Sequence, residues 1–267
     1  MSPSEIGGVP VTPPLSDRDI SSTFAKGLTV LRAFDDTHSR LTLAEIAHFT
    51  GLDRASVRRL TLTLVHLGYA QKDGRHFSLT PKVLILAGSF LRGNQFGTHV
   101  QPLLNRYAKV IGAGVSLAIP DENSAVYIAN SIGSDGDISF GFTIGSRLPL
   151  LHTAVGRMLL AMGNPEWSKA AIETAPVEQY TTETITDREA LAKSVAEARA
   201  KGYAIVSGEF EAGVLGFAVP VGGLHRTQAA LGTSLPTLSL PREKERLQII
   251  GELHKAAAEL SRFPLFT

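Results

Sequence analysis

The chain has 267 residues, 43% of them hydrophobic and 19% charged, with a formal net charge of +1. That balance suits one large or two ordinary globular domains with a real core, and it excludes a general polycation. The absence of cysteine excludes disulfides, thiolate zinc sites and a cysteine nucleophile, and no apolar run approaches the ~20 residues of a spanning helix.

The first stretch, MSPSEIGGVPVTPPLSDRDI, is rich in Pro, Gly and Ser. It lacks the basic start and long apolar core of a signal peptide. Residues 1–20 read as a disordered tail on a cytoplasmic protein. Helical spacing begins near Phe24, with Phe24, Leu28, Leu31 and Phe34 on one side. Thr42 with Glu45 three residues on reads as a capping box for a short helix from Leu43 to about Phe49. Gly51 ends it, and Asp53 is placed to cap a third helix. On a wheel, Val57, Leu60, Leu64 and Leu67 of that helix form a buried side, while Ala55, Arg58, Arg59, Leu62 and His66 lie opposite.

Tyr69–Lys72 and Arg75–Leu79 then read as two short strands around an Asp73-Gly74 turn. Thr80-Pro81 opens another helix through Leu91, and Gly93-Asn94 interrupts the pattern before a helix over about Gly97 to Val110. The second half alternates. VSLAIP, AVYIANSI and ISFGFTIG read as strands. LHTAVGRMLLAM reads as a helix, as does TDREALAKSVAEARAKGY, capped by Thr186 with Glu189 and ended by Gly202. YAIVS, GFAVPV and AALGTSL return to strands, and a long helix over Pro241–Phe263 carries Leu247, Ile250, Leu253, Ala257 and Leu260.

Charge is concentrated in one place. Between Gly51 and Gly93 stand seven basic residues against two acidic ones. Ala47, Gly51, Val57 and Leu60 have the spacing of a helix-turn-helix, in which a small residue lets two short helices cross closely and a glycine permits the turn. The bare side of the third helix then faces outward with its arginines. A helix fits the major groove of DNA, where arginine makes a two-pronged contact to guanine. Arg58 and Arg59 are the expected base readers, and Arg54 and Ser56 the expected phosphate contacts. Ala55 keeps the groove-facing surface slim. Lys72, Arg75 and His76 sit at the tip of a wing suited to the backbone or minor groove. The plainer alternative is an amphipathic helix with a solvated basic face; the helix-turn-helix spacing and the wing together favour DNA.

The order of parts resembles the IclR family of bacterial transcriptional regulators. FAKGLTVLRAF resembles its first helix, LTLAEIAHFTGLDRASVRRLTLTLVHLGY its helix-turn-helix, and DGRHFSLTPKVLILAGSFL its wing and linker helix. SRLPLLHTAVGRMLLA, ARAKGYAIVSGEFEAGVLGFAVPV and AALGTSLP resemble pieces of its effector domain. The resemblance implies an α+β chain: a winged helix-turn-helix over 21–80, a linker helix over 81–95, and a GAF-like effector-binding domain with an antiparallel sheet over 96–267. It also implies double-stranded operator DNA, a small organic acid effector, and self-association as a homodimer or dimer of dimers. No cofactor, metal or membrane is implied. The segment reads HTAVGR where the family's aromatic-acid regulators commonly read ATSMGR.

The helix opening at Thr153, Ala154 and Val155 offers free backbone N–H groups and a partial positive charge, which suits a carboxylate. The resemblance places the effector pocket at this same turn. Carried over by position, Ala154 and Val155 give backbone contacts, and Thr153 and Ser234 give hydroxyls. His152, Val206, Gly216 and Phe140 or Phe142 line the wall. Val206 and Gly216 stand where some members carry polar contacts, which implies a larger or more apolar acid. Thr153 also reads as a plain helix cap, His152 as a structural histidine, Arg157 as a surface residue, and Glu209 and Glu211 as solvated or hydrogen-bonded to a neighbouring loop.

Two other classes compete. His152 with Glu209 or Glu211 is a conceivable acid–base pair, but the chain has no GxSxG, no phosphate loop and no helical His pair for zinc, and His225 reads as solvent-facing. A winged helix that binds protein instead of DNA predicts no steep salt dependence.

Overall fold

The computed structural model describes residues 16, 19–35, 37–132, 142–222, 229–237, 242–263 and 265–266. Most of the 1–20 tail, Phe140 and His225 lie outside the described residues. The chain divides into two compact units between Gly93 and Asn94.

In the first unit, α1 (Ser22–Arg32) precedes a two-residue strand β1 (Leu41–Thr42), then α2 (Leu43–Thr50) and α3 (Arg54–His66). The caps act as the sequence predicts. Thr42 Oγ1 accepts the Glu45 N–H at 3.3 Å while Glu45 Oε2 accepts the Thr42 N–H at 2.7 Å. Gly51 turns with φ 67°, and Asp53 Oδ1 accepts the Ser56 N–H at 2.9 Å to start α3. The core holds Val30, Phe34, Leu41, Ile46, Val57 and Phe77.

The apolar wheels need correction. Phe24 is 68% exposed and Leu28 45%, and α1 buries Val30 instead; Phe34, just past the helix, is buried as expected. Leu67 is also exposed, because it caps α3 after the last full turn. Thr61 takes the buried place, and Leu62 packs part-buried against the core rather than facing out.

The wing is β2 (Ala70–Asp73) against β3 (His76–Leu79), with β1 on the far side of β3. Its turn is Gly74-Arg75 and not Asp73-Gly74: Asp73 stays in the ladder opposite His76, and Gly74 supplies the positive φ of 57°. Asp73 is held there by an ion pair with Arg40. α4 (Val83–Gly93) follows and buries none of its residues.

The second unit begins with a π-helical turn (Phe96–Val100) leading into α5 (Gln101–Ile111). Its antiparallel sheet has the order β6-β5-β4-β9-β8-β7, with β4 (Val115–Asp121), β5 (Ser124–Asn130), β6 (Arg147–Pro149), β7 (Ala204–Ser207), β8 (Val214–Val221) and β9 (Ala229–Pro236). The described part of ISFGFTIG, from Phe142 to Gly145, is a turn that leads into β6, with Gly145 at φ 95°.

Small residues Ala118, Ala218 and Ala230 on the sheet let α6 (Ala154–Met162) lie close, with α7 (Pro165–Thr174) and α8 (Arg188–Lys201) packed beside it. α8 is capped by Asp187, whose carboxylate accepts the Ala190 N–H at 2.8 Å, and not by Thr186. α9 (Glu243–Leu260) packs on α5 and β8, burying Ile250, Leu253, Ala257 and Leu260 but leaving Leu247 exposed.

Candidate DNA-reading face and effector pocket

α3 turns Arg54, Ala55, Arg58 and Arg59 to the outside, with Ser56 half-buried beside its Asp53 cap. Lys72 and Arg75 are exposed on the wing and His76 is half-buried. Among the described residues, none of these arginines or Lys72 forms an ion pair. The wing's own acid, Asp73, is taken up by Arg40. The outward charge of α3 and the wing is therefore positive and not tied up in ion pairs, which suits a polyanionic duplex.

The second unit holds a pocket of about 410 Å³. His152, Thr153, Ala154, Val155, Val206, Gly216 and Ser234 all line it, as does Phe142. Its ceiling is the start of α6. Thr153 caps that helix: its Oγ1 accepts the Gly156 N–H at 3.1 Å and donates to the Pro149 carbonyl at 2.8 Å. The hydroxyl expected to serve a ligand is thereby committed to the fold. The N–H groups of Ala154 and Val155, at the first two helical positions, have no partner within the helix.

The sheet admits α6 this closely because two of its positions are glycine. A Cβ added to Gly216 would lie 3.3 Å from Ala154 Cβ, and one on Gly232 would lie 2.6 Å from Val155 Cγ1. Tyr127, Phe142, Phe210 and His152 line the pocket, and Tyr180, outside the lining, links Phe210 to His152. Tyr127 meets Phe142 at 6.3 Å, Phe142 meets Phe210 at 6.0 Å, Phe210 meets Tyr180 at 5.0 Å, and Tyr180 meets His152 at 5.5 Å between centroids. Burial pushes the phenols of Tyr127 and Tyr180 up to about 12, so both stay neutral.

At the pocket edge lies a buried ion pair that the sequence reading missed, with Glu209 among the lining residues. Arg157 is buried, not surface, and donates through Nη2 to Glu209 Oε2 at 2.5 Å and through Nε to the Leu151 carbonyl at 2.8 Å. Glu209 is likewise buried rather than solvated. Thr181 and Thr184 donate to the carbonyls of Gly208 and Glu209, both at 2.6 Å, and fix the loop that carries this acid. His152 Nδ1 stands 3.7 Å from Glu209 Oε2, too far for a hydrogen bond. Glu209, one of the two acids considered as a partner for His152, is thus engaged by Arg157. Desolvation pushes the carboxyl of the neighbouring Glu211 up.

The IclR helix-turn-helix domain matches residues 23–74, and the bacterial transcriptional regulator IclR C-terminal domain matches residues 90–262. The chain belongs to the IclR family. It is 36% identical over 205 residues to the Pca regulon regulatory protein of Pseudomonas putida, covering 77% of this chain and 70% of that one. An IclR family transcriptional regulator from Brucella abortus superposes with a TM-score of 0.79 at 30% identity, over 94% of this chain and 95% of that one. A double mutant of the inducer-binding domain of the PobR transcription factor from Acinetobacter, in complex with 3-hydroxybenzoic acid, aligns at 27% identity and a TM-score of 0.55, over 60% of this chain and 94% of that one. As an IclR family member this chain is a transcriptional regulator and not an enzyme.

Proposed function

We propose that this IclR family regulator grips a palindromic operator as a homodimer and that a small aromatic acid in the pocket controls the grip. The observation that carries the effector reading is the pairing of a buried, Thr-capped α6 N-terminus with the lining rings of Tyr127, Phe142 and Phe210. The helix end supplies N–H groups and positive potential for a carboxylate. The rings supply apolar, flat contact for the remainder of the ligand. The Acinetobacter domain with 3-hydroxybenzoic acid supports the same ligand class.

On the DNA side, Arg58 and Arg59 read base edges, Arg54 and Ser56 hold phosphates, and Lys72 and Arg75 hold the flanking backbone. Self-association falls to α4, where Leu84, Ile85 and Leu86 are all more than half exposed. A dimer would set its two α3 helices roughly 34 Å apart on one face of a duplex. An acid that binds one arrangement of the dimer better than the other shifts the balance by its differential affinity.

The test is a thermal-shift screen of aromatic acids on the full chain, followed by operator binding with and without each hit. A ligand at 100 times its Kd stabilises the folded state by about 2.7 kcal/mol. Hits that raise the melting temperature and change DNA affinity support the reading. A screen in which no aromatic acid does either refutes it.

A further inference from the structure

The C-terminal end of α3 is tied to the root of α4. From the Leu67 cap onward, three successive carbonyls accept hydrogen bonds from Thr80 and Lys82. Lys82 Nζ donates to the Leu67 carbonyl at 2.6 Å, Thr80 Oγ1 to the Gly68 carbonyl at 2.5 Å, and the Thr80 N–H to the Tyr69 carbonyl at 2.9 Å. Gly68 takes φ 78°, which lets the chain leave the helix here. The Lys82 stem lies across it: a Cβ on Gly68 would stand 3.6 Å from Lys82 Cδ. The ammonium also stands 5.1 Å from the centre of the Tyr69 ring.

A helix leaves its last carbonyls without partners and carries partial negative charge at that end. A cation that donates there answers both. Lys82 is one of the seven basic residues between Gly51 and Gly93, and it is exposed like Arg54, Arg58 and Arg59. Charge and exposure alone would count it among the DNA contacts. Its hydrogen bond and its ring contact engage it instead with the protein's own chain. The opposite end of α3 is fixed by the Asp53 cap, and its middle by Val57 and Thr61 in the core. The clasp of Thr80 and Lys82 holds the end that the cap does not reach. That matters for reading, because a two-pronged contact from Arg58 or Arg59 tolerates a misplacement of only about 0.5 Å.

We propose that Thr80 and Lys82 are positioning residues for base reading: they aim α3 from the root of α4, and Lys82 makes no DNA contact of its own. The inference rests on the reading of α3 as the groove helix. It gives the linker helix a hold on the reading helix, so that a turn at the root of α4 carries α3 with it.

The experiment compares Thr80→Val, Lys82→Gln and the double variant Arg58→Ala with Arg59→Ala, each in the full chain. Two duplexes serve as probes: one selected by the unmodified protein from a random-sequence pool, and a scrambled version of it. Fluorescence anisotropy across a potassium chloride series gives the affinities, and melting temperatures are measured alongside. Thr80→Val keeps the shape and alters no charge, so a loss it causes is not a lost phosphate contact. Both clasp variants are expected to lower the ratio of selected to scrambled affinity by about tenfold, the worth of one two-pronged base contact. Affinity for the scrambled duplex and its salt slope are expected to stay as in the unmodified chain, since these count phosphate contacts. A slope flattened by about one in Lys82→Gln makes Lys82 a phosphate contact and overturns the inference. A lower melting temperature with an unchanged ratio in both clasp variants reduces the clasp to stability alone and overturns it too. Should Thr80→Val fail to fold, Lys82→Gln, at an exposed site, decides by the same two readouts. A ratio that falls in the arginine double variant but in neither clasp variant overturns the clasp and leaves α3 as the reading helix. An unchanged ratio in the arginine double variant removes that reading and this inference together.

Discussion

Arg157 on α6 and Glu209 on the loop before β8 are joined by a 2.5 Å hydrogen-bonded ion pair, with 4% and 6% of their side chains exposed. Fifty-two residues apart in sequence, they tie the helix that roofs the pocket to the loop that walls it. A pair this deep gains little over an apolar pair of equal volume, but each member is costly alone. Arg157→Met leaves Glu209 buried without its cation and is expected to destabilise the effector unit by about 3–5 kcal/mol. The melting temperature then falls by roughly 10 °C. Arg157→Met with Glu209→Leu is expected to recover most of the loss. Thermal unfolding followed by circular dichroism measures both, and a single variant as stable as the unmodified chain would remove the pair from the account.

Two glycines in helices separate a packing demand from mere tolerance. A Cβ on Gly156 of α6 would lie 2.3 Å from the Leu150 carbonyl oxygen, which is backbone and cannot step aside. Gly156→Ala is expected to destabilise by about 3 kcal/mol. A Cβ on Gly251 of α9 meets nothing within 4 Å. Gly251→Ala is expected to stabilise by about 0.5–1 kcal/mol, through helix propensity alone. Denaturant unfolding of the two variants should move in opposite directions.

These contrasts mark what the sequence could and could not say. The caps at Thr42 and Asp53 were legible because every partner lies within three residues. The α6 turn was legible through its Thr-Ala-Val start and its resemblance to the family. Arg157 was misjudged because its partner is distant in sequence, and a lone arginine in a first turn looks solvated. The wing turn slipped by one residue because Asp-Gly is the locally favoured turn pair, while the pairing of Asp73 with His76 across the ladder carries no local signal. Thr186 lost its cap role to Asp187, whose carboxylate is the stronger acceptor at a helix start.

Acid should act on the DNA-binding unit through Glu45. The Thr42 backbone and side-chain hydrogen bonds hold this carboxyl below its ordinary value of 4.5. A carboxyl whose folded pKa is depressed contributes stability that is full above 4.5 and is lost as pH falls through the lower folded value. The unit is therefore expected to soften between about pH 4.5 and the more acidic range. Glu45→Gln keeps a capping box and removes the titration. Melting curves of the two proteins from pH 6 to pH 3 should converge at the acid end. Parallel curves would assign the acid sensitivity elsewhere.

Self-association should respond to the outer face of α4. Leu84, Ile85 and Leu86 are 67%, 60% and 56% exposed on a helix with no buried residue. Three consecutive large apolar residues in that position are a contact surface awaiting a partner. Leu84→Glu with Leu86→Lys is expected to shift the sedimentation coefficient toward the monomer and to weaken operator binding, without lowering the melting temperature by more than a few degrees. An unchanged sedimentation profile would place the dimer contact on another element.

The DNA contacts divide by what each arginine touches, and salt tells them apart. A phosphate contact contributes about 0.9 to the slope of log affinity against log salt concentration, whatever the sequence bound. A base contact contributes about 1–3 kcal/mol of discrimination at its own base pair. Arg54→Ala is accordingly expected to weaken all sequences alike and to flatten the slope by about one. Arg58→Ala and Arg59→Ala are expected to bring operator and scrambled DNA closer together, tenfold or more at the affected position. Fluorescence anisotropy across a potassium chloride series measures both quantities on one protein preparation. If Arg58→Ala and Arg59→Ala leave the ratio of operator to scrambled affinity unchanged, α3 is not the reading helix, whatever its charge.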